Sequence, residues 1–358
     1  MAFFADLIRF TTPTTGTGTL TVGNRVLPFM TPAGYGAPFN DGALPVYYSI
    51  IDFAGGNSET GIGTYTASGT TLTRTPITTT NGGSAISLSG QAQVVITAIA
   101  NSIRARLSAD VTLYVRTDGS DSNNGFSNTS TGAFLTPQKA ADTALTWDTG
   151  KYNVNIQIGD GTYTSGVSLT SDFEGSGNVT FQGNNGTPAN VIISTTSHCF
   201  YAGGGAEFAV KDMQLTSSAG AGLYAFTGGQ ILYQNINFDT CGGSNYPHIF
   251  AEYGGTVVCT GNYTIVGGST THFWASLAST IKCQSMTITL TGTPAFSLEF
   301  ARASYCGVLS TVGNTFSGSA TGTKFQVESN SVIVTGGSTT YFPGTASTGN
   351  TFTGGQYL

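Results

Sequence analysis

Short runs of alternating hydrophobic and polar residues follow one another along most of the chain, and turns rich in Gly, Ser, Thr and Asn separate them. Alternation with a period of two indicates β-strands that are buried on one face. We expect a helix in one short stretch, where Thr136 is followed by Pro137 in the order of a cap and a first turn. The pattern therefore predicts an all-β fold with a short helical element.

One hydrophobic pattern recurs between about Tyr201 and Phe325. Its copies are residues 222–226, 248–252, 272–276 and 295–299. Successive copies are spaced 23, 26, 24, 23 and 28 residues apart, as measured between marker positions. These markers are Tyr201, Tyr224, Phe250, Trp274, Ser297 and Phe325. A period of this size, built from short strands and turns, predicts the stacked coils of a β-solenoid.

Alternation within the repeated strand assigns a face to each of its positions. Two positions are apolar in every copy, and we expect their side chains to fill the lumen. They are Leu223, Ile249, Phe273 and Phe296 on one side of the marker, and Ala225, Ala251, Ala275 and Leu298 on the other. The positions between them are then expected to face outward. Those named as candidate contacts are Tyr224, His248, Phe250, Glu252, His272, Trp274, Ser276 and Glu299.

Outward Tyr224, Phe250 and Trp274 on adjacent coils would lie about 4.8 Å apart and form a contiguous apolar patch. A monomer rarely leaves such a patch exposed. Aromatic rings flanked by His and carboxylate side chains can stack on sugar rings and bond their hydroxyls. Aromatic residues are also enriched in subunit interfaces. The patch therefore predicts either a glycan-binding surface or a subunit interface.

The spacing of strands and turns divides the chain into four segments. Residues 1–107 have strand-like runs whose spacing does not match the coil period, which indicates a separate small β-sandwich or barrel. Residues 108–152 form a connector with the capping helix, and residues 153–338 form the coils. Residues 339–358 are a C-terminal segment, for which we expect strands that leave the coil and pair with sister chains.

Composition excludes several classes of protein. Charged residues make up only 8% of the 358 residues, while 22 Phe and 16 Tyr are present, so the chain is folded rather than disordered. The net charge is −6, and residues 153–358 contain four bases against nine acids. No basic stripe is present for nucleic acid, and no apolar run approaches the about 18 residues of a membrane helix. We expect no nucleic-acid binding and no membrane insertion.

The five cysteines include no C-x-x-C pair, which argues against a disulfide framework and against a zinc site. Cys259, Cys283 and Cys306 each lie nine residues after a marker, in the register of Tyr233 and Val210. We expect them to form a buried column of reduced thiols that act as small hydrophobic residues. No metal site and no cofactor are expected.

Glycan cleavage would need two carboxylates on either side of the scissile bond. Glu252 and Glu299 occupy equivalent positions two coils apart, so their backbones would lie roughly 9.6 Å from each other. We therefore name them as the candidate catalytic pair, although solvated surface carboxylates explain the same pattern. His248 and His272 lie on adjacent coils without an evident third ligand, which favours surface or interface histidines over a metal site.

Motifs in the first hundred residues resemble the N-terminal attachment module of tail and spike proteins from bacteriophages and phage-derived particles such as gene transfer agents. The matching segments are residues 46–52, 59–65, 72–75 and 81–83. The resemblance implies that residues 1–107 dock the protein to a baseplate, portal or capsid protein of the virion.

The segment that follows is similar to the entry of right-handed parallel β-helices of the pectate-lyase-like kind. Its motifs are a strand at residues 111–117, the Asp118-Gly119 loop, the helix after Thr136, and the sequence Gly-Asp-Gly-Thr-Tyr at 159–163. Residues 339–358 resemble the C-terminal ends of phage β-helix spikes. Together these resemblances imply a homotrimeric tail or head spike with a right-handed parallel β-helix.

The expected function is attachment of the particle to host cell-surface polysaccharide. Such a protein is made in the host cytoplasm and acts at the host cell surface as part of the virion. Two alternatives have the same architecture. One is a polysaccharide depolymerase, a glycoside hydrolase or lyase, and the other is a purely structural head or tail fibre.

Overall fold

The computed structural model describes residues 5–40, 42–99, 104–243 and 245–358. Residues 1–4, 41 and 100–103 of the predicted N-terminal domain lie outside the described residues. The structure is nearly all β, and it divides into two compact units, Met1–Arg104 and Ala105–Leu358. The described part of the chain has no helix long and apolar enough to cross a membrane.

The first unit is built on a seven-stranded sheet with antiparallel pairing, curved into a half-barrel. Its strands are β1 (Ile8–Thr12), β3 (Leu20–Thr21), β4 (Ala43–Asp52), β5 (Asn57–Thr66), β6 (Thr71–Leu72), β7 (Thr75–Thr79) and β9 (Ala92–Ile96). A separate ribbon pairs β2 (Thr15–Gly16) with β8 (Leu88–Ser89), and the short helix α1 spans Pro32–Tyr35. The predicted small β domain is thereby confirmed.

A buried ion pair crosses the inside of this half-barrel. Arg74 Nη2 lies 2.5 Å from Glu59 Oε2, and both side chains are almost fully buried. The Tyr48 hydroxyl donates to Glu59 Oε1 at 2.6 Å, and the backbone N–H of Ile86 donates to Oε2. These contacts hold the pKa of Glu59 below its usual value despite the opposing effect of burial. The charge therefore joins β4, β5 and the segment before β8.

The second unit is a parallel β-solenoid of about eight turns, as predicted. Sheet 1 has fifteen strands: β11 (Val111–Val115), β13 (Val154–Ile158), β14 (Gly161–Tyr163), β16 (Val179–Gln182), β17 (Val191–Thr195), β19 (Glu207–Ser217), β21 (Gln230–Phe238), β23 (Thr256–Cys259), β24 (Tyr263–Ile265), β26 (Thr280–Lys282), β27 (Thr287–Leu290), β29 (Val308–Ser310), β30 (Thr315–Ser317), β32 (Val332–Val334) and β34 (Gln356–Tyr357).

Sheet 2 contributes one strand to each coil. Its eight strands are β15 (Val167–Leu169), β18 (Phe200–Ala202), β20 (Leu223–Phe226), β22 (Ile249–Glu252), β25 (Ser269–Ala275), β28 (Ala295–Ala303), β31 (Thr321–Val327) and β33 (Asn350–Thr351). A two-stranded parallel ribbon, β10 (Ala105–Arg106) with β12 (Trp147–Asp148), lies in the same unit.

A recurring corner turn joins each later strand of sheet 2 to the next strand of sheet 1. In seven coils this turn has two successive residues with positive φ. The pairs are Gly204-Gly205, Thr227-Gly228, Tyr253-Gly254, Leu277-Ala278, Tyr305-Cys306, Ser329-Asn330 and Thr353-Gly354. Two consecutive residues with positive φ change the chain direction within a short turn. The same short turn in each of these coils is consistent with strands that stay in register from coil to coil.

The lumen is a single hydrophobic core that runs through all the coils. In sheet 2 its columns follow the pairings of Leu223, Ile249 and Phe273, and of Ala225, Ala251 and Ala275, as predicted. The helix α2 (Pro137–Ala144) packs Ala140, Ala141 and Ala144 against this core. The Thr136 side chain caps the helix by accepting from the backbone N–H of Lys139. The predicted helical cap is therefore confirmed.

The predicted register of the fourth copy is wrong. Trp274 pairs with Arg302, and Ala275 pairs with Ala303, so the copy that follows residues 272–276 is residues 300–304 and not 295–299. Phe296 pairs with Ser269, and a register shift follows between Ser269 and Thr271. Residues 295–299 alternate in the same way as the true copy, and they extend β28 backwards past the repeat. Leu298, expected in the lumen, is consequently 45% exposed.

The register error also misplaced later positions. Phe325 pairs with Ala301, so it lies in the lumen column rather than at an outward marker position. Tyr233 pairs with Cys259, and Cys283 is buried one coil further on, as predicted. Cys306 is different, because it is the second residue of an exposed corner turn. The thiol column is therefore confirmed for two cysteines and wrong for Cys306.

The C-terminal strands remain on the solenoid. β33 pairs in parallel with β31, and β34 pairs in parallel with β32. The expectation that strands of residues 339–358 leave the coil is wrong for these two, because their backbone groups extend the existing sheets. The homotrimer itself stays a prediction.

Candidate functional site

An aromatic ladder lies on the outer side of sheet 2. Its members, Tyr201, Tyr224, Phe250 and Trp274, are in register on four successive coils. They form a cluster separate from the lumen core, so the predicted direction of these side chains is correct. Tyr224 and Phe250 stack at 4.9 Å between ring centroids, and Phe250 and Trp274 lie 5.0 Å apart. We call these four residues the aromatic ladder.

The ring faces of the ladder are occupied by one another. Tyr224 is only 9% exposed and Phe250 only 6%, and Tyr246 covers the ladder from the side. The prediction of an exposed patch is therefore wrong for Tyr224 and Phe250. Stacking between rings of adjacent coils makes the column contiguous, and it also removes the ring faces from solvent. Ring pairs of this kind each add about 0.5 to 1.5 kcal/mol beyond area burial. The geometry indicates a stabilising role for Tyr224 and Phe250.

Arg302 ends the ladder one coil beyond Trp274. Its guanidinium lies 4.7 Å from the centroid of the Trp274 ring, and its Nη2 donates to Glu328 at 2.7 Å. Its Nη1 lies 3.4 Å from Glu299. The Trp274 indole N–H donates to the Ser304 hydroxyl at 3.1 Å. Trp274 is therefore held on its face by Arg302 and on its edge by Ser304. The sequence pattern had placed Ser297, instead of Arg302, next to Trp274 in this column.

The two candidate catalytic carboxylates do not share a column. Glu252 pairs in register with Phe226, and its Oε2 accepts a hydrogen bond from the Tyr224 hydroxyl at 2.7 Å. Glu299 pairs with Thr271, outside the repeated part of the strand. The predicted juxtaposition is wrong because it rested on the misaligned fourth copy. Glu299 is only 4% exposed, and burial raises its pKa to about 7 against the opposing effect of Arg302.

The two histidines lie inside the solenoid, so their predicted outward position is wrong. His248 and His272 are both fully buried, with their Nδ1 atoms 3.0 Å apart. His272 Nε2 lies 2.7 Å from the Tyr263 hydroxyl, whereas His248 Nε2 has no hydrogen-bond partner. Burial lowers the pKa of His248 to about 3 and that of His272 well below 6.5. Neither imidazole is accessible to an external ligand.

Ser276 is also enclosed. It is 2% exposed, its backbone N–H donates to the Ser279 hydroxyl, and its own hydroxyl accepts from Ser304 at 3.1 Å. These bonds fix the start of a corner turn. The predicted contact residues are therefore divided between the outer aromatic ladder and the interior of the solenoid. Binding of a ligand by any of them stays a prediction.

A groove that the sequence pattern did not reveal lies on the outer face of sheet 1. Nine residues, 170–178, separate β15 from β16, whereas three or four residues make the same connection in every later coil. We call residues 170–178 the corner loop. The unequal spacing was readable in the sequence, but only after the strands on either side had been placed.

The corner loop forms one side of the groove, and hydrogen bonds hold it in place. The backbone N–H of Thr149 donates to the carbonyl of Glu174 at 2.7 Å, and Asp172 Oδ1 accepts from the backbone N–H of Glu207 at 3.0 Å. Phe173 is buried in the lumen core and anchors the loop from below. The loop is thus bonded to the coil before it and to the coil after it.

The groove has a volume of about 450 Å³ and is partly open to solvent. Its floor consists of in-register residues of three coils, Thr180, Ala209 and Leu232, and of Lys211 and Gln234 beside them. Further lining residues are Asp172, Phe173, Gly175, Ser176, Gly177, Asn178, Val179, Glu207, Phe208 and Thr260. Four coils contribute, which gives the groove a length of about 14 Å at the spacing of parallel strands.

The chemistry of the groove is mixed. Leu232 and Ala209 offer a half-buried apolar floor, and Gln234, Thr260 and Asn178 offer neutral polar groups around it. Lys211 is half-buried, and within the described residues it has no ion-pair partner. Its ammonium is therefore available as a donor. An apolar floor with a few directed polar groups is the usual composition of a small-molecule or oligosaccharide site.

The described residues contain no group of three His, Cys, Asp or Glu side chains that could hold a metal ion.

The fold and the groove define a class: a β-solenoid protein with a separate N-terminal β unit and a groove on one outer face of the solenoid. No protein-family model, no curated protein and no solved structure matches the chain. A fold of this class serves many functions, so function has to be argued from the residues of the site.

Proposed function

We propose that this protein is a spike of a bacteriophage or phage-derived particle, and that it attaches the particle to host cell-surface polysaccharide through the groove. The observation that carries the proposal is the open groove of about 450 Å³ beside the corner loop. A cavity closed at both ends would admit only small molecules, whereas an open groove can bind an internal segment of a long chain.

The residues of the groove suit an oligosaccharide. Sugars present hydroxyls in the plane of the ring and an apolar C–H face, so they need directed polar groups around an apolar platform. Leu232 and Ala209 can supply the platform, and Lys211 and Gln234 can bond hydroxyl oxygens. A length of about 14 Å suits a segment of a few sugar residues.

The assignment to a virion rests on the sequence resemblance of residues 1–107 to attachment modules, and an eight-turn β-solenoid is compatible with a spike. In this proposal residues 1–107 dock to a baseplate, portal or capsid protein, and the chain forms a homotrimer. The protein is made in the host cytoplasm and acts at the host surface. Light scattering tests the trimer directly, since a monomer mass would contradict it.

Glycan binding is tested with an array of immobilised bacterial capsular and O-antigen polysaccharides of defined structure. We expect the full-length protein to be retained on a subset of them, and Lys211→Ala to weaken that retention about tenfold, because a hydrogen bond from a charged donor is lost. Lys282→Ala is the matched control, since Lys282 is exposed on sheet 1 outside the groove. Absence of retention on every polysaccharide would leave the purely structural fibre as the better account.

A second candidate, polysaccharide cleavage, is favoured by one observation. Glu299 and Glu328 are both bonded to Arg302, and burial raises the pKa of Glu299 to about 7, which suits a general acid. Release of oligosaccharides from the retained polysaccharide would support cleavage. Loss of that release in Glu299→Gln, with retention unchanged, would assign it to this pair; Glu252→Gln is the control.

A further inference from the structure

Two corner turns break the residue preference that their backbone sets, and a third meets it with Asn330 instead of glycine. Leu277-Ala278, Tyr305-Cys306 and Ser329-Asn330 each have two residues with positive φ and no glycine. The equivalent turns elsewhere have glycine as their second residue. Positive φ is costly for residues with a branched or bulky side chain, and Gly or Asn is the usual solution in a two-residue turn.

Corner turns of three adjacent coils carry large apolar side chains at their first positive-φ residue, and two of these side chains are exposed to solvent. Tyr253 is 55% exposed and Tyr305 is 59% exposed, which makes them the two most exposed tyrosines of the described residues. Leu277, on the coil between them, is half-buried. We call Tyr253, Leu277 and Tyr305 the turn ridge. Folding alone would favour a small polar residue here on two counts, backbone strain and solvent exposure, and such a conflict is characteristic of functional positions.

The turn ridge has fewer ring contacts than the aromatic ladder. Tyr253 has an edge contact with Phe226, with centroids 5.1 Å apart and planes at 72°. No ring contact is found for Tyr305 within the described part of the chain. Two coils separate the tyrosines, which places their backbones about 9.6 Å apart. That separation is close to the length of two linked sugar residues.

We propose that the turn ridge is a second carbohydrate contact, on which sugar rings of an uncharged polysaccharide segment stack against Tyr253 and Tyr305 with Leu277 between them. This inference rests on the proposed function, since it assumes that the protein binds polysaccharide. It adds a separate surface outside the groove and a chemical class for its occupant.

The charges near the turn ridge favour an uncharged segment. Glu252 and Glu328 precede the first residues of two corner turns, and both would repel an anionic chain. Arg302 is the cation of the coil that contains Tyr305, and it is already bonded to Glu299 and Glu328. No free cation is therefore offered to an acidic sugar by this coil.

The dimensions of the turn ridge favour a sugar chain over a protein partner. A stable protein interface buries about 800 Å² on each side and involves roughly 20 residues or more. One side chain from each of three adjacent coils forms a narrow line that supplies a small part of this area. Two tyrosine faces in a row are sufficient for stacking on sugar rings.

The test is the double variant Tyr253→Asn/Tyr305→Asn in the full-length protein. Asparagine tolerates positive φ, so the variant relieves strain, and we expect Tm to rise by about 2 °C or more. Retention on the polysaccharides that bind the wild type should fall about tenfold, because two stacking faces are lost. A gain in stability together with a loss of binding cannot come from damage to the fold.

The matched control is Ser329→Asn/Thr353→Asn, which changes the same turn position in two coils where that position is not aromatic. We expect it to leave retention unchanged. Hydroxyl-radical footprinting of the wild type with a retained polysaccharide should protect Tyr253 and Tyr305.

Three outcomes distinguish the two proposals. If the wild type is retained on no polysaccharide, the proposed function fails and the inference fails with it. If Lys211→Ala weakens retention but the double tyrosine variant does not, the proposed function stands and the turn ridge is not a carbohydrate contact. If the tyrosine variant changes the mass of the assembly, the turn ridge is a subunit contact and the inference is overturned.

Discussion

The aromatic ladder and the turn ridge occupy the same coils, only a few residues apart, and they differ in what their rings contact. Phe250 lies between two other rings and is 6% exposed, whereas Tyr253 is 55% exposed. Residues in the strand repeat at the coil spacing, so their rings stack on one another. Residues in the turn project from a corner and have fewer ring contacts. In this solenoid, therefore, aromatic residues in register within the strands cover one another, whereas those of the corner turns stay exposed.

The largest effect that tests this contrast is expected for Phe250→Ala. Removal of a ring from the middle of the aromatic ladder should lower the free energy of unfolding by about 3 to 5 kcal/mol. Tyr253→Ala is the matched comparison, and its effect on stability should stay within about 0.5 kcal/mol. Urea unfolding of both variants measures the difference. Equal losses in the two variants would remove the distinction between the ladder and the turn ridge.

The second effect is the pH dependence of stability. His248 and His272 are neutral when folded because burial lowers their pKa values, so the unfolded chain binds more protons below the ordinary value of 6.5. Stability therefore falls as pH drops below this value, by about 1.4 kcal/mol per pH unit for each histidine. Glu299 acts in the opposite direction, because its pKa is raised and its protonation stabilises the folded state between about pH 7 and pH 4.5.

The net expectation is a loss of stability between pH 6.5 and about pH 4.5, because the lowered pKa values of His248 and His272, together with that of His198, outweigh the one raised carboxyl pKa. Urea unfolding across that range measures it. Glu299→Gln removes the opposing contribution, so the loss with decreasing pH should become steeper in this variant. A flat profile would mean that the two histidines are not held neutral in the lumen.

The smallest effect concerns the backbone of the corner turns. Ala278→Gly should stabilise the protein by about 1 kcal/mol, because glycine adopts positive φ without strain. Gly254→Ala should cost a similar amount, and a Cβ at Gly254 would meet no atom within 4 Å, so its effect is purely conformational. Thermal unfolding measures both. Changes of the same sign in the two variants would contradict the assignment of strain to Ala278.

The sequence predicted the coils, the helical cap and the lumen columns of three copies, because alternation and period report directly on buried strand positions. It misplaced residues 295–299, since an extension of a strand alternates in the same way as the strand itself. It also left His248 and His272 outside, because strand alternation assigns a face only within a regular strand. His248 immediately precedes β22, and His272 lies in β25 just after the register shift between Ser269 and Thr271.

The candidate site was less predictable than the fold. The groove depends on the length of one connection relative to its neighbours, and that comparison needs the ends of β15 and β16. The turn ridge depends on which residues have positive φ, and Tyr253 or Tyr305 gives no local sign of it. Alternation identified aromatic residues correctly, but it could not show that their faces would be occupied by one another.

The corner loop has a consequence for how such a protein diversifies. The strands on either side of residues 170–178 keep their parallel pairing, although this connection is more than twice as long as the later ones. Coil stacking is thus independent of corner length, since loops lie outside the hydrophobic core. A lineage can therefore acquire a new specificity by exchanging one surface loop in a single genetic event, while every residue of the lumen is inherited unchanged.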